Sequence, residues 1–461
     1  MLHQRSLMRN AKQFNVECPF ICQWRRHMLN LLSGRRSSDC EGTTRRDFIR
    51  VGSLGFGALT LPHLLRSRAE AAAAGKEVKD TSVIWLWLSG GPTHVETFDP
   101  KMTAPSEYRS VTGEVATPMP GVTIGGTLPK IAAVGDKMAF VRSFAHTNSG
   151  HGGGTHYVMT GYDNRGIDNG GLPSRPSLGS ILSRTRGANN LRTGMPNYVR
   201  LNGIGSDGPA FLGAAFSPFD PNGQARNNMS LVVDKDRLDD RRGLLKVLDK
   251  ANRAADRSKL MDGLDAFEQQ AFNLVLSRSQ QAFNLKYEHP RSADRYGKGL
   301  GQQLLLARRL CEAGCGYVTV NYGGWDMHGQ IKNAMTQRSP QLDQAVSALV
   351  EDISQRGQDK NILLVISGEF GRTPKVNGNA GRDHWAPLTT LALAGGGLNM
   401  GQVVGESATK IDVPKTTPIG PQDLMATIFD VLGIDRRVQF VNQAGRPTYM
   451  IEDGKPIAEL V

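Results

Sequence analysis

The sequence predicts an α/β fold, in which helices flank a doubly wound, mainly parallel sheet. Two apolar runs without alternation, residues 82–88 and 361–367, are typical of strands buried on both faces of a parallel sheet. Strand and helix patterns alternate through residues 75–461, which favours a single domain of this class. Residues 237–285 carry apolar side chains at helical spacing among charges of both signs, which predicts a solvated helical insertion.

The predicted elements follow one another from Ser82 to the end of the chain. Strands are expected at residues 82–88, 138–143, 198–201, 316–322, 361–367, 388–394 and 402–404. Helices are expected from Leu128, up to Thr160, from Pro176, and at residues 302–310, 340–356 and 422–432. The 53 glycines predict many tight turns and loops that can approach a ligand closely.

An export signal precedes this domain. Residues 44–74 contain the pair Arg45-Arg46, an uncharged run and an alanine-rich tail, which is the pattern of a twin-arginine signal peptide. We therefore expect the protein to use the twin-arginine export machinery and to be periplasmic or secreted. The apolar run is shorter than the roughly 20 residues of a membrane span, so no stable membrane anchor is expected; a retained anchor and a buried helix are the alternatives. Residues 1–43 are interpreted as a disordered extension or the result of a mis-assigned start codon.

Charge and cysteine content limit the classes of function. The net charge is +12, but residues 1–74 hold 12 Lys and Arg against 5 Asp and Glu, which leaves 43 against 38, or +5, in the rest. This balance predicts no nucleic-acid partner and suits an anionic substrate. Only Cys311 and Cys315 follow the predicted signal peptide, so a disulfide scaffold is excluded and two buried thiols are expected.

Glycine-rich loops with ionisable side chains follow the first two predicted strands. They contain His94 and Glu96 in the first loop, and His146, His151 and His156 in the second. Imidazoles suit zinc, copper and iron, and they also donate hydrogen bonds to sulfate or phosphate oxygens. The alternatives are an ordinary turn in the first loop and, in the second, histidines that cap the following helix.

Acids and bases also follow two later strands. They are Asp326 and His328 after residues 316–322, and Glu369, Arg372, Asp383 and His384 after residues 361–367. A helix-capping Asp326, a surface pair between Arg372 and Glu369, and an Asp383 that orients His384 or caps its loop are the alternatives.

Six of these candidates are expected to converge on one pocket, because the carboxyl ends of parallel strands lie at one edge of the sheet. The six are His146, His151, Asp326, His328, Glu369 and His384. Such a group predicts a bound ion, and a divalent transition metal such as zinc fits the histidines better than calcium does.

Several motifs together resemble one bacterial family. LSGGPTHVETFDPK, YVMTG, RPSLGS, GGWDMHG, SGEFGRTP, GRDHW and LMATIFDVLGID, with the twin-arginine leader, are similar to the domain-of-unknown-function family numbered fifteen-oh-one. That family is similar to sulfatases and belongs with the alkaline-phosphatase-like fold. The resemblance runs from about Ser82 to the C-terminus.

The resemblance implies metal ligands and also two departures. It assigns Asp326, His328, Glu369 and His384 as ligands. Phe370 stands where the superfamily usually has a ligating histidine, and the stretch Ser89-Gly90-Gly91 takes the place of the usual aspartates. The hydroxyls of Thr147, Ser149 and Thr155 lie in the histidine-rich loop, and none of them has the signature of a nucleophile.

The leading hypothesis is an exported, metal-dependent hydrolase of sulfate or phosphate esters, with sulfated or phosphorylated polysaccharides as candidate substrates. The expected catalytic residues are His146, His151 and Arg372, and the expected substrate-binding residues are His94, Glu96, His156 and Asp383. The alternative is a non-catalytic, sulfatase-like binding or assembly protein that kept the pocket and lost the chemistry.

Overall fold

A seven-stranded sheet lies at the centre of the computed structural model, which describes residues 80–222 and 278–461. Its strands are β1 (Ser82–Trp87), β4 (Met138–Val141), β5 (Tyr198–Leu201), β6 (Tyr317–Asn321), β7 (Ile362–Ser367), β10 (Leu391–Gly395) and β11 (Gln402–Val404). Their order across the sheet is β11-β4-β10-β7-β1-β6-β5. All seven predicted strands are therefore in one sheet.

The sheet is mainly parallel, as the sequence predicts. β7, β1, β6 and β5 pair in parallel, and so do β11 and β4. β10 runs antiparallel to both of its neighbours, β7 and β4. The amino end of β10 consequently shares an edge with the carboxyl ends of the other six strands.

Helices cover both faces of the sheet, and they are α1 (Pro129–Ala133), α2 (His151–Thr160), α3 (Leu178–Arg186), α4 (Pro290–Tyr296), α5 (Leu300–Glu312), α6 (Ile331–Gln355) and α7 (Pro421–Leu432). Side chains of β1 alternate between two cores. Ile84 and Leu86 pack in the core that contains α1, α4, α5 and α6, whereas Val83, Trp85 and Trp87 pack in the core that contains α2, α3 and α7. This double burial explains why β1 is apolar at every position after Ser82.

Helix α6 begins nine residues earlier than predicted. Pro340 was expected at its start, because proline lacks an N–H and favours a first turn. The structure places Pro340 inside the helix. The buried stripe that includes Ile331, Met335, Leu342 and Val346 continues through this position, so packing against the sheet holds the helix across the missing hydrogen bond.

Three two-stranded ribbons accompany the main sheet and were not predicted. They pair β2 (Glu114–Ala116) with β3 (Thr123–Gly125), β8 (Gly371–Arg372) with β9 (His384–Trp385), and β12 (Gln439–Val441) with β13 (Pro447–Tyr449). Each strand has only two or three residues, which is too short for a periodic signal. Cys311 and Cys315 are buried free thiols, as expected.

Several predictions lie outside the described residues. They concern the extension at 1–43, the signal peptide at 44–74 and most of the helical insertion at 237–285. The described end of that insertion forms a 3-10 helix, Arg278–Phe283, rather than an α-helix. Within residues 80–222 and 278–461, no helix combines the length and the apolarity that crossing a membrane requires.

Candidate functional site

Four strands and one short ribbon bring the candidate residues to one edge of the sheet. The loop after β4 leads into α2, whose first residue is His151, and the loop after β6 carries Asp326 and His328. The ribbon β8–β9 follows β7 and pairs Arg372 with His384 just before β10. Because β10 runs antiparallel to β7, the segment between the two strands, which contains His384, stays at this edge.

Three ligand-type atoms meet at this edge. Oδ1 of Asp326 lies 3.0 Å from Nε2 of His328 and 3.2 Å from Nε2 of His384. The two imidazole Nε2 atoms lie 3.1 Å from each other. We call Asp326, His328 and His384 the ligand trio.

Hydrogen bonds on the far side of each ring assign the imidazole tautomers. Nδ1 of His328 lies 2.8 Å from Oδ1 of Asp383, and Nδ1 of His384 lies 2.9 Å from the carbonyl oxygen of Ser149. Both partners are acceptors, so each Nδ1 carries the proton and each Nε2 keeps a lone pair. Burial and then the charge of Arg372 lower the pKa of His384, which favours the neutral ring.

The ligand trio fits a cation. Three atoms that present lone pairs lie within 3.0 to 3.2 Å of one another, and they repel unless positive charge balances them. The Arg372 guanidinium supplies part of that charge, since Nη2 donates to Oδ1 of Asp326 and Nη1 lies 3.4 Å from Nε2 of His328. Two imidazoles and a carboxylate match the donors of zinc, whereas calcium prefers oxygen alone. Asp383 behind His328 resembles the carboxylates that commonly orient a metal-binding histidine.

His151 presents a fourth ligand-type atom at this edge. Its Nε2 lies 3.4 Å from Oδ2 of Asp326. One ligand atom from each of His151, Asp326 and His384 lies within 4.8 Å of the others. Nε2 of His328 lies 3.0 Å from Oδ1 of Asp326 and 3.1 Å from Nε2 of His384, which is closer than His151 lies to Asp326. The trio is therefore the more compact group of ligand-type atoms, and His151 lies opposite it.

Arg372 supplies a fixed positive charge beside Asp326. Its side chain is fully buried and donates through Nε to the carbonyl of Gly91, 2.9 Å away, and through Nη1 to that of Arg382, 3.1 Å away. Nη2 donates to the carbonyl of Gly90 and to Oδ1 of Asp326. Arg372 thus contacts the trio directly, through Nη2 to Asp326 and through Nη1, which lies 3.4 Å from Nε2 of His328.

Asp326 remains ionised at this position. Burial raises the pKa of its carboxyl group, but the hydrogen bond and charge of Arg372 outweigh that effect and hold the pKa at about 2. The carboxylate is therefore available as a ligand over the whole physiological range.

Glu369 lies behind His151 rather than among the trio. Its Oε1 lies 2.8 Å from Nδ1 of His151 and accepts a hydrogen bond of 2.8 Å from the backbone N–H of Gly90. The hydrogen bond between Glu369 and His151 is the largest influence on the pKa of His151, and it raises that pKa. The expected ligand Glu369 thus orients an imidazole, and the sequence could not distinguish this from direct metal contact.

Close packing accounts for the glycines that begin α2. A Cβ at Gly153 would lie 2.4 Å from the Asn148 side chain, and one at Gly154 would lie 2.8 Å from the backbone oxygen of Glu369. The backbone of α2 therefore fits directly against the loop after β7, which fixes His151 opposite the trio. Phe370 closes the apolar floor, with its ring centroid 4.3 Å from that of His384.

His146 was expected in the same pocket, but the structure places it inside the protein. Its Nδ1 accepts a hydrogen bond of 3.2 Å from the N–H of Asn148, and its ring packs edge-on against Tyr157. Burial lowers the pKa of this imidazole to about 4. His146 makes no polar contact with the trio or His151 within the described residues, so the expected six do not all converge.

The expected substrate-binding residues His94 and Glu96 are buried. Nε2 of His94 lies 3.0 Å from the carbonyl of Ile411, and burial lowers the pKa of His94 to about 4. Glu96 is fully buried and pairs with Arg382 at 2.8 Å. Neither side chain has a surface that a substrate could reach, and both instead hold the loop after β1.

His156 and Asp383 also have partners within the protein. Nδ1 of His156 lies 2.7 Å from the carbonyl of Tyr162, and its Nε2 accepts from the N–H of Ser174 at 3.2 Å. His156 is buried and anchors the loop after α2. Asp383, expected to bind substrate, is exposed and contacts His328; the alternative had it orient His384 or cap its loop.

Sequence reasoning missed four residues that support the site. Arg382 binds Glu96, Asn377 donates to Asp383 at 3.1 Å, the carbonyl of Ser149 holds His384, and Asp168 accepts hydrogen bonds from the first turn of α2. The motif GRDHW contains Arg382 and was a usable signal. The others act through contacts between loops, which have no local signature.

The fold and the site define an α/β protein with a candidate cation site at the carboxyl edge of a mainly parallel sheet. The chain belongs to the family described as Protein of unknown function (DUF1501), whose model matches residues 80–461. This confirms the family that the motifs indicated. No curated protein matches the sequence.

Solved structures to which the chain shows similarity include a sulfatase, a lipoteichoic acid synthase and an alkaline phosphatase. PsFucS1 sulfatase from Pseudoalteromonas sp. is 12% identical, with 82% of this chain and 72% of that chain covered and a TM-score of 0.38. LtaP from Listeria monocytogenes is 9% identical, with 83% and 76% covered and a TM-score of 0.36. A mutant of TAB5 alkaline phosphatase is 11% identical, with 78% and 100% covered and a TM-score of 0.34. Function is therefore argued from the site alone.

Proposed function

We propose that this protein is a metal-dependent hydrolase of phosphate or sulfate esters. The observation that carries the proposal is the convergence of three lone-pair atoms in the ligand trio, at 3.0 to 3.2 Å from one another. The side chain of Asp326 is 46% exposed and that of His328 is 47% exposed, so a substrate can reach the trio. A cation held at an accessible edge, beside a buried arginine, suits an anionic ester.

Each residue of the site has a distinct role in this proposal. Asp326, His328 and His384 hold the metal, which when bound polarises an ester oxygen. Arg372 keeps Asp326 ionised and adds positive charge near the bound anion. His151 presents its Nε2 to the ester from the side opposite the trio, and Glu369 holds that ring in place.

Metal analysis combined with turnover tests the proposal. The purified full chain is expected to contain about one zinc or similar ion per molecule, and to hydrolyse an aryl phosphate or an aryl sulfate in a chelator-sensitive manner. The matched control is His289→Gln, which changes an exposed histidine at the start of α4. Full metal content without turnover of either ester would contradict the proposed activity.

Two observations favour the alternative, a non-catalytic binding or assembly protein. Phe370 places an apolar ring 5.1 Å from the His151 ring and 4.3 Å from the His384 ring, at a position where the resembled superfamily usually has a ligating histidine. Within residues 80–222 and 278–461, no side-chain hydroxyl or thiol makes a polar contact with the trio or with the His151 side chain. Tight binding of a sulfated or phosphorylated glycan by metal-loaded protein, without hydrolysis, would support this alternative.

We further propose that the hydrolase is exported through the twin-arginine pathway and acts on sulfated or phosphorylated polysaccharides. The pair Arg45-Arg46 supports export, and the exposed side chains of the trio leave room for a bulky substrate. Replacing both arginines with lysine is expected to retain the protein in the cytoplasm. Unchanged periplasmic accumulation of that variant would contradict the export route.

A further inference from the structure

We propose that Nε2 of His151 is the nucleophile of this site and that the substrate is a phosphate monoester, so that the reaction passes through a phosphohistidine. This inference rests on the proposed hydrolase function and adds to it the identity of the attacking atom.

The orientation of the His151 ring is fixed from behind. Glu369 is 3% exposed, and its Oε1 lies 2.8 Å from Nδ1 of His151. The N–H of Gly90 donates to the same carboxylate oxygen at 2.8 Å, which fixes the acceptor itself. Because the partner is a carboxylate, Nδ1 carries a proton, and in the neutral ring, which is the form that attacks, Nε2 has the lone pair.

The lone pair on Nε2 faces the site. Oδ2 of Asp326 lies 3.4 Å from Nε2, and the ring centroid lies 4.5 Å from that of His384. No N–H or O–H of the described residues donates to Nε2, and the side chain is 45% exposed. A phosphorus atom held beside the trio is therefore open to attack by this nitrogen.

Two hydroxyls of the same loop and helix make hydrogen bonds to the backbone. Oγ1 of Thr155 donates to the backbone oxygen of His151 at 2.6 Å, and Oγ of Ser149 accepts from the N–H of Ala386 at 3.1 Å. Cys311 and Cys315 are buried thiols, and burial raises the pKa of both. Nε2 of His151 combines a ring direction fixed by Glu369 with exposure, and no N–H or O–H of the described residues donates to it.

The two steps balance without a further reactant. Nε2 attacks phosphorus, the N–P bond forms, and the P–O bond to the leaving group breaks; the departing oxygen keeps the electron pair and takes a proton from water. The phosphorylated ring is cationic, and the Glu369 carboxylate facing Nδ1 offsets this charge. Water then attacks phosphorus, the P–N bond breaks and its electron pair returns to Nε2. Inorganic phosphate leaves with one proton of the attacking water, and the other proton neutralises the hydroxide left by the first step.

The test is to trap the intermediate on the metal-loaded full chain. A ³²P-labelled aryl phosphate is mixed with the protein and quenched in alkaline denaturant, which preserves a phosphoramidate that acid destroys. We expect an acid-labile, base-stable label on the peptide that contains His151. His151→Asn keeps a side-chain N–H donor for Glu369 but has no Nε2, so it should lose the label and at least about 100-fold of the turnover while it retains the metal.

Matched variants separate this inference from general damage to the loop. His146→Asn changes the buried histidine of the same loop and should keep the label, whereas imidazole added to His151→Gly should partly restore turnover. Turnover without an acid-labile label, or a label on serine or threonine, overturns the phosphohistidine but leaves the hydrolase. If His151→Asn loses the metal, the ring of His151 is a metal ligand and the phosphohistidine proposal is wrong. If the original protein hydrolyses no ester, both the hydrolase and the phosphohistidine proposals are wrong.

Discussion

Two charged clusters at the same edge of the sheet contrast in how their polar atoms are satisfied. Glu96 is fully buried and accepts hydrogen bonds from Arg382 at 2.8 Å and from Thr112 Oγ1 at 2.8 Å and Thr112 N at 3.1 Å. The ligand trio is partly exposed, and its three atoms lie 3.0 to 3.2 Å from one another with the Arg372 guanidinium as a charged partner. A carboxylate surrounded by hydrogen-bond donors stabilises the fold, whereas acceptors that converge on one point form a binding site for a cation.

Residue type and loop position do not distinguish the two clusters. His94, Glu96, His146 and His151 all lie in glycine-rich loops after strands, and their residue types alone suggest chemistry. Only His151 faces the trio. Satisfaction of the polar atoms, rather than residue type or loop position, distinguishes the two clusters, and the following predictions test that distinction.

The largest expected effect is on stability, at the satisfied cluster. Glu96→Gln removes the charge that Arg382 faces and leaves a buried guanidinium unpaired, which is expected to cost about 3–5 kcal/mol of the free energy of unfolding. Urea denaturation measures this change. The control is Glu406→Gln, which breaks a pair between Glu406 and Lys415 at the surface and should cause no measurable change. Equal effects of both variants would show that burial does not decide the outcome.

The same pair predicts the direction of acid unfolding. Burial raises the pKa of Glu96, but the charge of Arg382 and several hydrogen bonds outweigh it and lower the pKa below the ordinary value. The unfolded chain therefore binds a proton more readily. Stability from this pair is fully present above the ordinary glutamate pKa and is lost as pH falls through the lowered pKa. Denaturation curves between about pH 6 and pH 2 should show a smaller loss for Glu96→Gln than for the original chain.

The next effect is on metal affinity, at the unsatisfied cluster. His384→Ala removes one atom of the ligand trio and is expected to weaken zinc binding by more than about 100-fold, since removal of supporting groups alone costs 10- to 100-fold. Competition with a chromophoric chelator measures the affinity. His146→Asn should leave it unchanged. Undiminished affinity in His384→Ala would mean that the trio does not hold the metal.

A smaller loss of affinity is expected behind the trio. Asp383→Asn keeps an oxygen that can accept from Nδ1 of His328, 2.8 Å away, but removes its charge. Zinc affinity should fall about 10-fold, at the lower end of the range for groups that orient a ligand. The same chelator competition applies. A fall as large as that of His384→Ala would instead indicate that Asp383 binds the metal directly.

The sequence predicts the main sheet well because its strands are long apolar runs, such as β1 and β7. It predicts the position of Asp326, His328 and His384 because each flanks such a strand. It does not predict the direction in which a loop turns its side chains. His146 and His151 are five residues apart in one glycine-rich loop, yet the fold buries one and presents the other. The helix-starting signal of Pro340 also fails, because the apolar stripe of α6 outweighs it.

The smallest expected effect concerns the start of α2, which positions His151. Asp168 comes from a separate turn, and its Oδ1 accepts hydrogen bonds from the N–H groups of Gly152 at 2.8 Å and Gly153 at 3.1 Å. These are N–H groups that a helix cannot satisfy itself, so Asp168 replaces the missing side-chain cap at Gly150. Asp168→Ala is expected to cost about 1 kcal/mol of the free energy of unfolding, and Asp168→Asn, which keeps an acceptor, only a few tenths. Both variants retain the trio, so zinc affinity should not change.

Turnover is the sharper measurement of the role of Asp168, because loosening the first turn of α2 moves His151 relative to Glu369. If Asp168→Ala lowers turnover several-fold while Asp168→Asn and zinc affinity stay near their original values, the cap acts by holding the imidazole opposite the trio. Equal turnover in both variants would mean that Glu369 alone is sufficient to position His151.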